Sequence, residues 1–208
     1  FLTAREDRAG STACPPALRY CSRKYLWITW PYLLRFLTAR EDRAGSTVCP
    51  PALRYCSRRY LCPNFKQWNL TAYLEENSDG DWGLIHNAFI ESANKYVQQY
   101  MEDCECRQFF PVKSTIEQFR IKKYRAGTDD RFDRHVDVGD YASARRFLVL
   151  FWYLNDVTEG GGTQFDTMTV LPKRGRLLIF PPTWTYPHSG LPTVSNDKYI
   201  AGTYCHYV

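Results

Sequence analysis

Between residues 117 and 207 the sequence is cut into short strand-forming segments separated by turn chemistry, and that rhythm leaves few folds open. Residues 117–124 (EQFRIKKY) alternate apolar and polar side chains, and residues 132–138 (FDRHVDV) do so again, as half-buried strands should. Residues 146–154 (RFLVLFWYL) form a continuous apolar and aromatic run of strand length, closed by Asn155, Asp156 and the glycines 160–162. Residues 167–171, 175–180 (GRLLIF, closed by Pro181 and Pro182) and 198–207 (KYIAGTYCHY) complete the series. Strands in succession with short turns predict a sandwich or an open barrel. Upstream, Leu84, Ile85, Phe89, Ile90, Tyr96, Val97 and Tyr100 recur near helical spacing and predict a helix over 83–103. The expected class is mainly β with flanking helices (α+β).

Chemistry enters this frame at His135, Asp137, His188 and Lys198. A His-x-Asp pair on an extended segment points both side chains to one face, because strand side chains alternate with period two. Two imidazoles and one carboxylate on one side of a metal leave the opposite positions open, the ligand set of non-haem Fe(II) oxygenases. By itself His-x-Asp is a weak signal, and a hydrogen-bonded His/Asp pair in a loop is its plain alternative. Lys198 reads equally as a surface lysine at a strand start. Buried in a barrel mouth, however, its ammonium would need an anion.

Eight short motifs follow one another in a recognisable order: residues 124–127 (YRAG), 135–137 (HVD), 153–156 (YLND), 159–165 (EGGGTQF), 172–175 (PKRG), 180–182 (FPP), 188–190 (HSG) and 198–200 (KYI). In that order, across residues 117–208, the chain resembles the 2-oxoglutarate- and Fe(II)-dependent dioxygenases of the prolyl 4-hydroxylase type. The resemblance implies a double-stranded β-helix (jelly roll) core. It implies His135, Asp137 and His188 as iron ligands and as the catalytic centre, and Lys198 on the distal carboxylate of 2-oxoglutarate. Tyr153 and Tyr124 match phenols that line the co-substrate pocket, and Thr163 falls near the iron. Each of these three has a plainer reading, as core aromatics and a turn residue. The implied reaction consumes O2 and 2-oxoglutarate, releases succinate and CO2, and hydroxylates an unactivated aliphatic C–H bond of a peptide or small molecule, with peptidyl proline the named candidate. Ascorbate is the expected accessory.

Several other features carry less. Gly160, Gly161 and Gly162 precede a strand pattern rather than a helix, so they are not a phosphate loop. Trp184 and Tyr186 read as packing over a barrel end, with a substrate groove as the alternative. A solvated or capping role suits His86, and His206 is expected to pack or face water. Two further functions compete with the dioxygenase. One is a non-catalytic jelly-roll binding module, which the intact His135, Asp137, His188 and Lys198 argue against. The other is a nucleic-acid demethylase on the same scaffold, weakened because Lys198 and Tyr204 stand where a pair of arginines is expected.

The first third is a different kind of sequence. Residues 1–26 recur at 36–61 with two changes, Ala13 to Val48 and Lys24 to Arg59, which is closer identity than stacked structural repeats require. Residues 1–62 hold 11 Lys/Arg and 4 Asp/Glu against 16 and 18 in residues 63–208, so the basic charge belongs to the repeat. Mixed charge broken by Pro15-Pro16 and Pro50-Pro51 reads as a solvated, partly disordered arm, with an anionic partner as the alternative. Residues 63–208 are then the dioxygenase domain, ample for one core. Cysteines 14, 21, 49, 56 and 62 lie in the repeat, and their Cys-x6-Cys spacing does not match common zinc knuckles. The apolar stretch WITWPYLL is too short to span a bilayer and contains Pro31.

Overall fold

The computed structural model describes residues 65–77 and 81–208 together with the backbone of Ile28–Thr29; the tandem repeat and its cysteines otherwise lie outside the described residues. In chain order the elements are β1 (Ile28–Thr29), β2 (Lys66–Asn69), α1 (Leu70–Glu76), α2 (Asp81–Asp103), a 3-10 turn (Arg107–Phe109), β3 (Ser114–Ile116), β4 (Arg120–Tyr124) and β5 (Phe132–His135). There follow β6 (Arg146–Tyr153), β7 (Thr163–Phe165), β8 (Thr169–Val170), β9 (Arg176–Phe180), β10 (His188–Gly190) and β11 (Lys198–Tyr207). All pairings are antiparallel. A major sheet runs β1-β9-β6-β11-β4-β2, with β3 also on β11, and a minor sheet runs β5-β10-β7-β8. Two facing antiparallel sheets are the jelly roll that the resemblance implied.

The major sheet is buried on both faces, and this explains its uninterrupted apolar runs. On β6, Leu148, Leu150 and Trp152 join one core while Val149, Phe151 and Tyr153 join the other. On β9, Leu177 and Ile179 face the first core, Leu178 and Phe180 the second. The first core lies beneath α2, which buries Ile85, Phe89, Ala93, Tyr96 and Tyr100 along one stripe. Phe89 meets Trp152 edge-on at 5.3 Å, and the Trp152 indole donates to Ser92 Oγ at 2.9 Å, which satisfies a buried polar group. The second core fills the space between the sheets, where the pocket opens.

The helix starts two residues before its expected bound, and α1 is capped by Asn69, whose side chain accepts from the Ala72 amide at 3.1 Å. The far end of α2 closes in a Schellman arrangement: the Cys106 amide donates to Met101 O and that of Glu105 to Glu102 O, each at 3.0 Å, with Glu105 at φ 52°. Two strand expectations need correction. Residues 117–124 are not all strand: only β4 (Arg120–Tyr124) is, and residues 117–119 separate it from β3, with Glu117 turning its carboxylate to Arg146 Nε at 2.7 Å and its carbonyl accepting from Thr203 Oγ1. Residues 132–138 end as a strand at His135, because the Asp137 and Val138 amides leave the ladder to donate to Pro182 O.

Candidate active site

Three loops and strands bring His135, Asp137 and His188 together. His135 ends β5 and His188 opens β10, directly opposite in register. Asp137 sits just beyond β5, held there by Pro182 O on its amide (3.1 Å) and by Arg146 Nη1 on its carbonyl (3.1 Å). The premise that both residues share one strand is therefore only half right, yet the side chains converge. His135 Nε2 is 3.7 Å from Asp137 Oδ1, and His188 Nε2 is 3.4 Å from Asp137 Oδ2.

The second ring nitrogens fix the tautomers. His135 Nδ1 lies 2.7 Å from Asp133 O and His188 Nδ1 lies 3.1 Å from Tyr186 O. A carbonyl only accepts, so each Nδ1 carries the proton and each Nε2 keeps its lone pair, the arrangement metal-bound imidazoles use. Burial holds the His188 pKa down at about 4, so the ring is neutral at pH 7. Burial opposes ionisation of Asp137, but the imidazoles of His135 and His188 and the Lys122 ammonium around it outweigh that and hold the carboxyl down at about 2. His135 Nε2, Asp137 Oδ2 and His188 Nε2 are all buried without a hydrogen-bond partner. Three orphaned acceptors facing one another are costly unless something cationic sits among them, and their chemistry fits a divalent metal. Tyr204 OH donates to Asp137 Oδ1 at 2.8 Å, which leaves Oδ2 as the free ligand atom.

From the triad a pocket runs between the sheets, past Phe151, Ile200, Lys122 and Tyr124, to Thr163 and Lys198. Lys198 is fully buried; its ammonium donates to Gly161 O at 2.8 Å and lies 4.1 Å from the centre of the Tyr124 ring. No carboxylate among the described residues pairs with it, and burial, helped by the charge of Lys122, pulls its pKa down to about 7. Gly161, at φ 68°, brings this carbonyl close: a Cβ there would stand 2.9 Å from Thr193 Cγ2.

The predicted residues thus divide by place. His135, Asp137 and His188 form one cluster, and Lys198, Tyr124 and Thr163 line the same pocket as the two histidines. Tyr153 stands behind Thr163, donating its hydroxyl to Thr163 Oγ1 at 2.6 Å. Trp184 does not pack over the barrel end: it is 80 % exposed, and only Tyr186 packs against the inner core. His86 contacts Thr71 Oγ1 at 3.2 Å, and His206 approaches Glu117. Lys122, Phe132 and the Tyr204–Asp137 bond went unread in the sequence. Phe132 stacks on the His135 ring with centroids 3.6 Å apart, a contact that strand alternation does not anticipate because residues three apart fall on opposite faces.

Comparison with known proteins agrees with this geometry. Residues 119–206 match the model of the 2OG-Fe(II) oxygenase superfamily. No curated protein sequence matches the chain significantly. Among solved structures, the viral collagen prolyl hydroxylase of Paramecium bursaria Chlorella virus-1, in its 2-oxoglutarate complex, superposes with a TM-score of 0.61 at 18% identity, covering 89% of this chain and 96% of its own. A Pseudomonas putida prolyl-4-hydroxylase gives 0.58 at 16% identity over 90% and 95%. A Trichoplax adhaerens prolyl hydroxylase, solved with a hypoxia-inducible-factor peptide fragment, gives 0.55 at 13% over 91% and 86%. At such identities these three speak for the fold, and the sequence model speaks for the family. Residues 119–206, which carry the triad and Lys198, form a 2OG-Fe(II) oxygenase superfamily domain with the prolyl 4-hydroxylase fold, a dioxygenase dependent on Fe(II), 2-oxoglutarate and O2.

Proposed function

We propose that this enzyme hydroxylates an unactivated aliphatic C–H bond, with peptidyl proline as the substrate class, and that His135, Asp137 and His188 hold its iron. Residues 63–208 are the catalytic unit in this reading. The observation that carries it is the pairing of three orphaned, buried ligand atoms with a buried ammonium that has no protein anion, in one pocket. Lys198 anchors the distal carboxylate of 2-oxoglutarate, Thr163 offers its hydroxyl beside it, and Tyr124 walls the pocket with its ring. Tyr153 acts through Thr163, fixing that hydroxyl's direction. Tyr204 orients Asp137, while Phe151, Phe165 and Phe180 around His188 exclude water. Bound iron supplies activation of O2 coupled to decarboxylation of 2-oxoglutarate to succinate, with ascorbate keeping it reduced. Proline as substrate is supported by the naming of the structural neighbours as prolyl hydroxylases.

Iron-loaded protein with 2-oxoglutarate and ascorbate is tested on proline-containing peptides, methylated oligonucleotides and buffer alone, reading succinate release. Peptide-dependent succinate with a mass gain of one oxygen supports the proposal. Succinate only with the oligonucleotides moves the substrate to nucleic acid, and binding of peptide without turnover moves the protein to a binding module.

A further inference from the structure

The pocket holds a second lysine that the functional reading does not use. β4 and β11 lie side by side with Lys198 opposite Tyr124 and Ile200 opposite Lys122. Side chains two apart on a strand share a face, so Lys122 and Tyr124 project to the same side, and both line the pocket. Along β11 from Lys198 towards Tyr204, whose hydroxyl reaches Asp137, Lys122 stands one pleat, about 7 Å, nearer the triad. Its neighbours agree: the Phe132 ring, 5.5 Å from the Lys122 ammonium, is the ring stacked on His135. The charge of Lys122 is felt by Asp137 and His188 at one end and by Lys198 at the other.

This ammonium has only aromatic company. The rings of Phe65, Phe132 and Phe151 surround it at 5.4, 5.5 and 5.3 Å, and no hydrogen bond or ion pair to it occurs among the described residues. Ring faces restore part of the lost hydration of a cation and leave its N–H donors unused. Formal charge points the same way. A divalent metal, ionised Asp137 and two charged lysines leave the empty pocket strongly positive, and a dianion offsets that charge better than a monoanion can.

We propose that Lys122 is a second cationic contact for the co-substrate, holding the carboxylate at the metal end of 2-oxoglutarate while Lys198 holds the distal one. The inference rests on reading the pocket as the 2-oxoglutarate site. It makes Lys122 a binding residue for the 2-oxo-acid end that every such co-substrate carries, with Lys198, one pleat away, reading the second carboxylate.

Calorimetric titration of the Mn(II)-loaded full chain tests this without turnover. The ligands are 2-oxoglutarate and 2-oxobutanoate, which keeps the metal-binding end and lacks the distal carboxylate; the weaker acid is read by competition. Lys122→Met and Lys122→Gln are each expected to weaken both ligands by ten- to a hundredfold, on the order of a lost charge-assisted contact. Lys198→Met is expected to weaken 2-oxoglutarate alone, and Lys122→Arg to recover most of the loss. Two neutral variants of different shape guard against a packing defect, and their thermal melts check the fold. A 2-oxoglutarate affinity within twofold of the parent in either neutral variant overturns the proposal and assigns Lys122 to an anionic group of the other substrate. Loss for 2-oxoglutarate with 2-oxobutanoate unchanged also overturns it, placing Lys122 at the distal end. Parent protein that binds neither acid would instead remove the co-substrate reading on which the inference stands.

Discussion

Lys198 gives a prediction in which stability and binding move in opposite directions. Replacing it by Met keeps the buried stem and removes the charge. Holding this ammonium at a pKa of about 7 instead of 10.5 costs the empty fold about 4 kcal/mol at neutral pH. Met also strands the Gly161 carbonyl, now bonded at 2.8 Å, at a cost of about 1–3 kcal/mol. The ligand-free variant should therefore unfold in urea at a free energy roughly 2 kcal/mol higher than the parent at pH 7. The sign depends on pH in a checkable way. Between pH 7 and 10.5 the unfolded chain holds a proton that the folded one has lost, so the parent gains stability as pH rises and the gap closes. Affinity for 2-oxoglutarate moves the other way, falling about ten- to a hundredfold with the lost charge-assisted bond. Paired urea melts at pH 7 and 9 and a 2-oxoglutarate titration read both effects. A variant less stable than the parent by more than about 1 kcal/mol, with 2-oxoglutarate affinity unchanged, would show that Lys198 is structural and refute the reasoning.

Three further outcomes follow from other parts of the molecule. Tyr204→Phe removes the hydroxyl that holds Asp137 Oδ1 and should weaken divalent metal binding by about ten- to a hundredfold, measured by Mn(II) titration; unchanged affinity would deny it a positioning role. Glu105→Gly at φ 52° should stabilise the fold by about 1 kcal/mol in chemical denaturation, since glycine meets no Cβ strain there, and a loss of stability would contradict the Schellman assignment. Asp130 is pulled down to a pKa of about 2, first by the Arg125 guanidinium, so its stabilisation is present above 3.8 and lost as pH falls towards 2. The acid limb of a melting-temperature profile should flatten in Asp130→Asn, and an identical limb would show that other groups govern it.

Much of this fold could be read before any coordinates, and the reasons differ by element. β6 was legible because both its faces are buried, so its apolar run is unbroken and of strand length. β11 kept its bounds from Lys198 to Tyr207 for the same reason. β4 was misread in one respect. Its alternation was real, but Ile121 packs towards the helices and the polar face, Arg120 and Lys122, turns away from that core, with Lys122 lining the pocket. Alternation tells which residues share a face and not which face meets water. β5 and β8 fall inside the expected strands 132–138 and 167–171, whereas the three-residue β7 and β10 owe their existence to pairing across the minor sheet, which no local pattern records. The triad was legible as residues. Its geometry was not, because Asp137 is set by Pro182 and Arg146, far along the chain.

The central claim, that His135, Asp137 and His188 hold iron to which 2-oxoglutarate binds, is tested most directly without any substrate. Metal-free protein is titrated anaerobically with Fe(II), then with 2-oxoglutarate, and followed by visible absorption beside His188→Ala. The account predicts a charge-transfer band in the parent that saturates at one equivalent of iron and is absent in His188→Ala. Folded, iron-bound parent with no band, or an equal band in the variant, would contradict it.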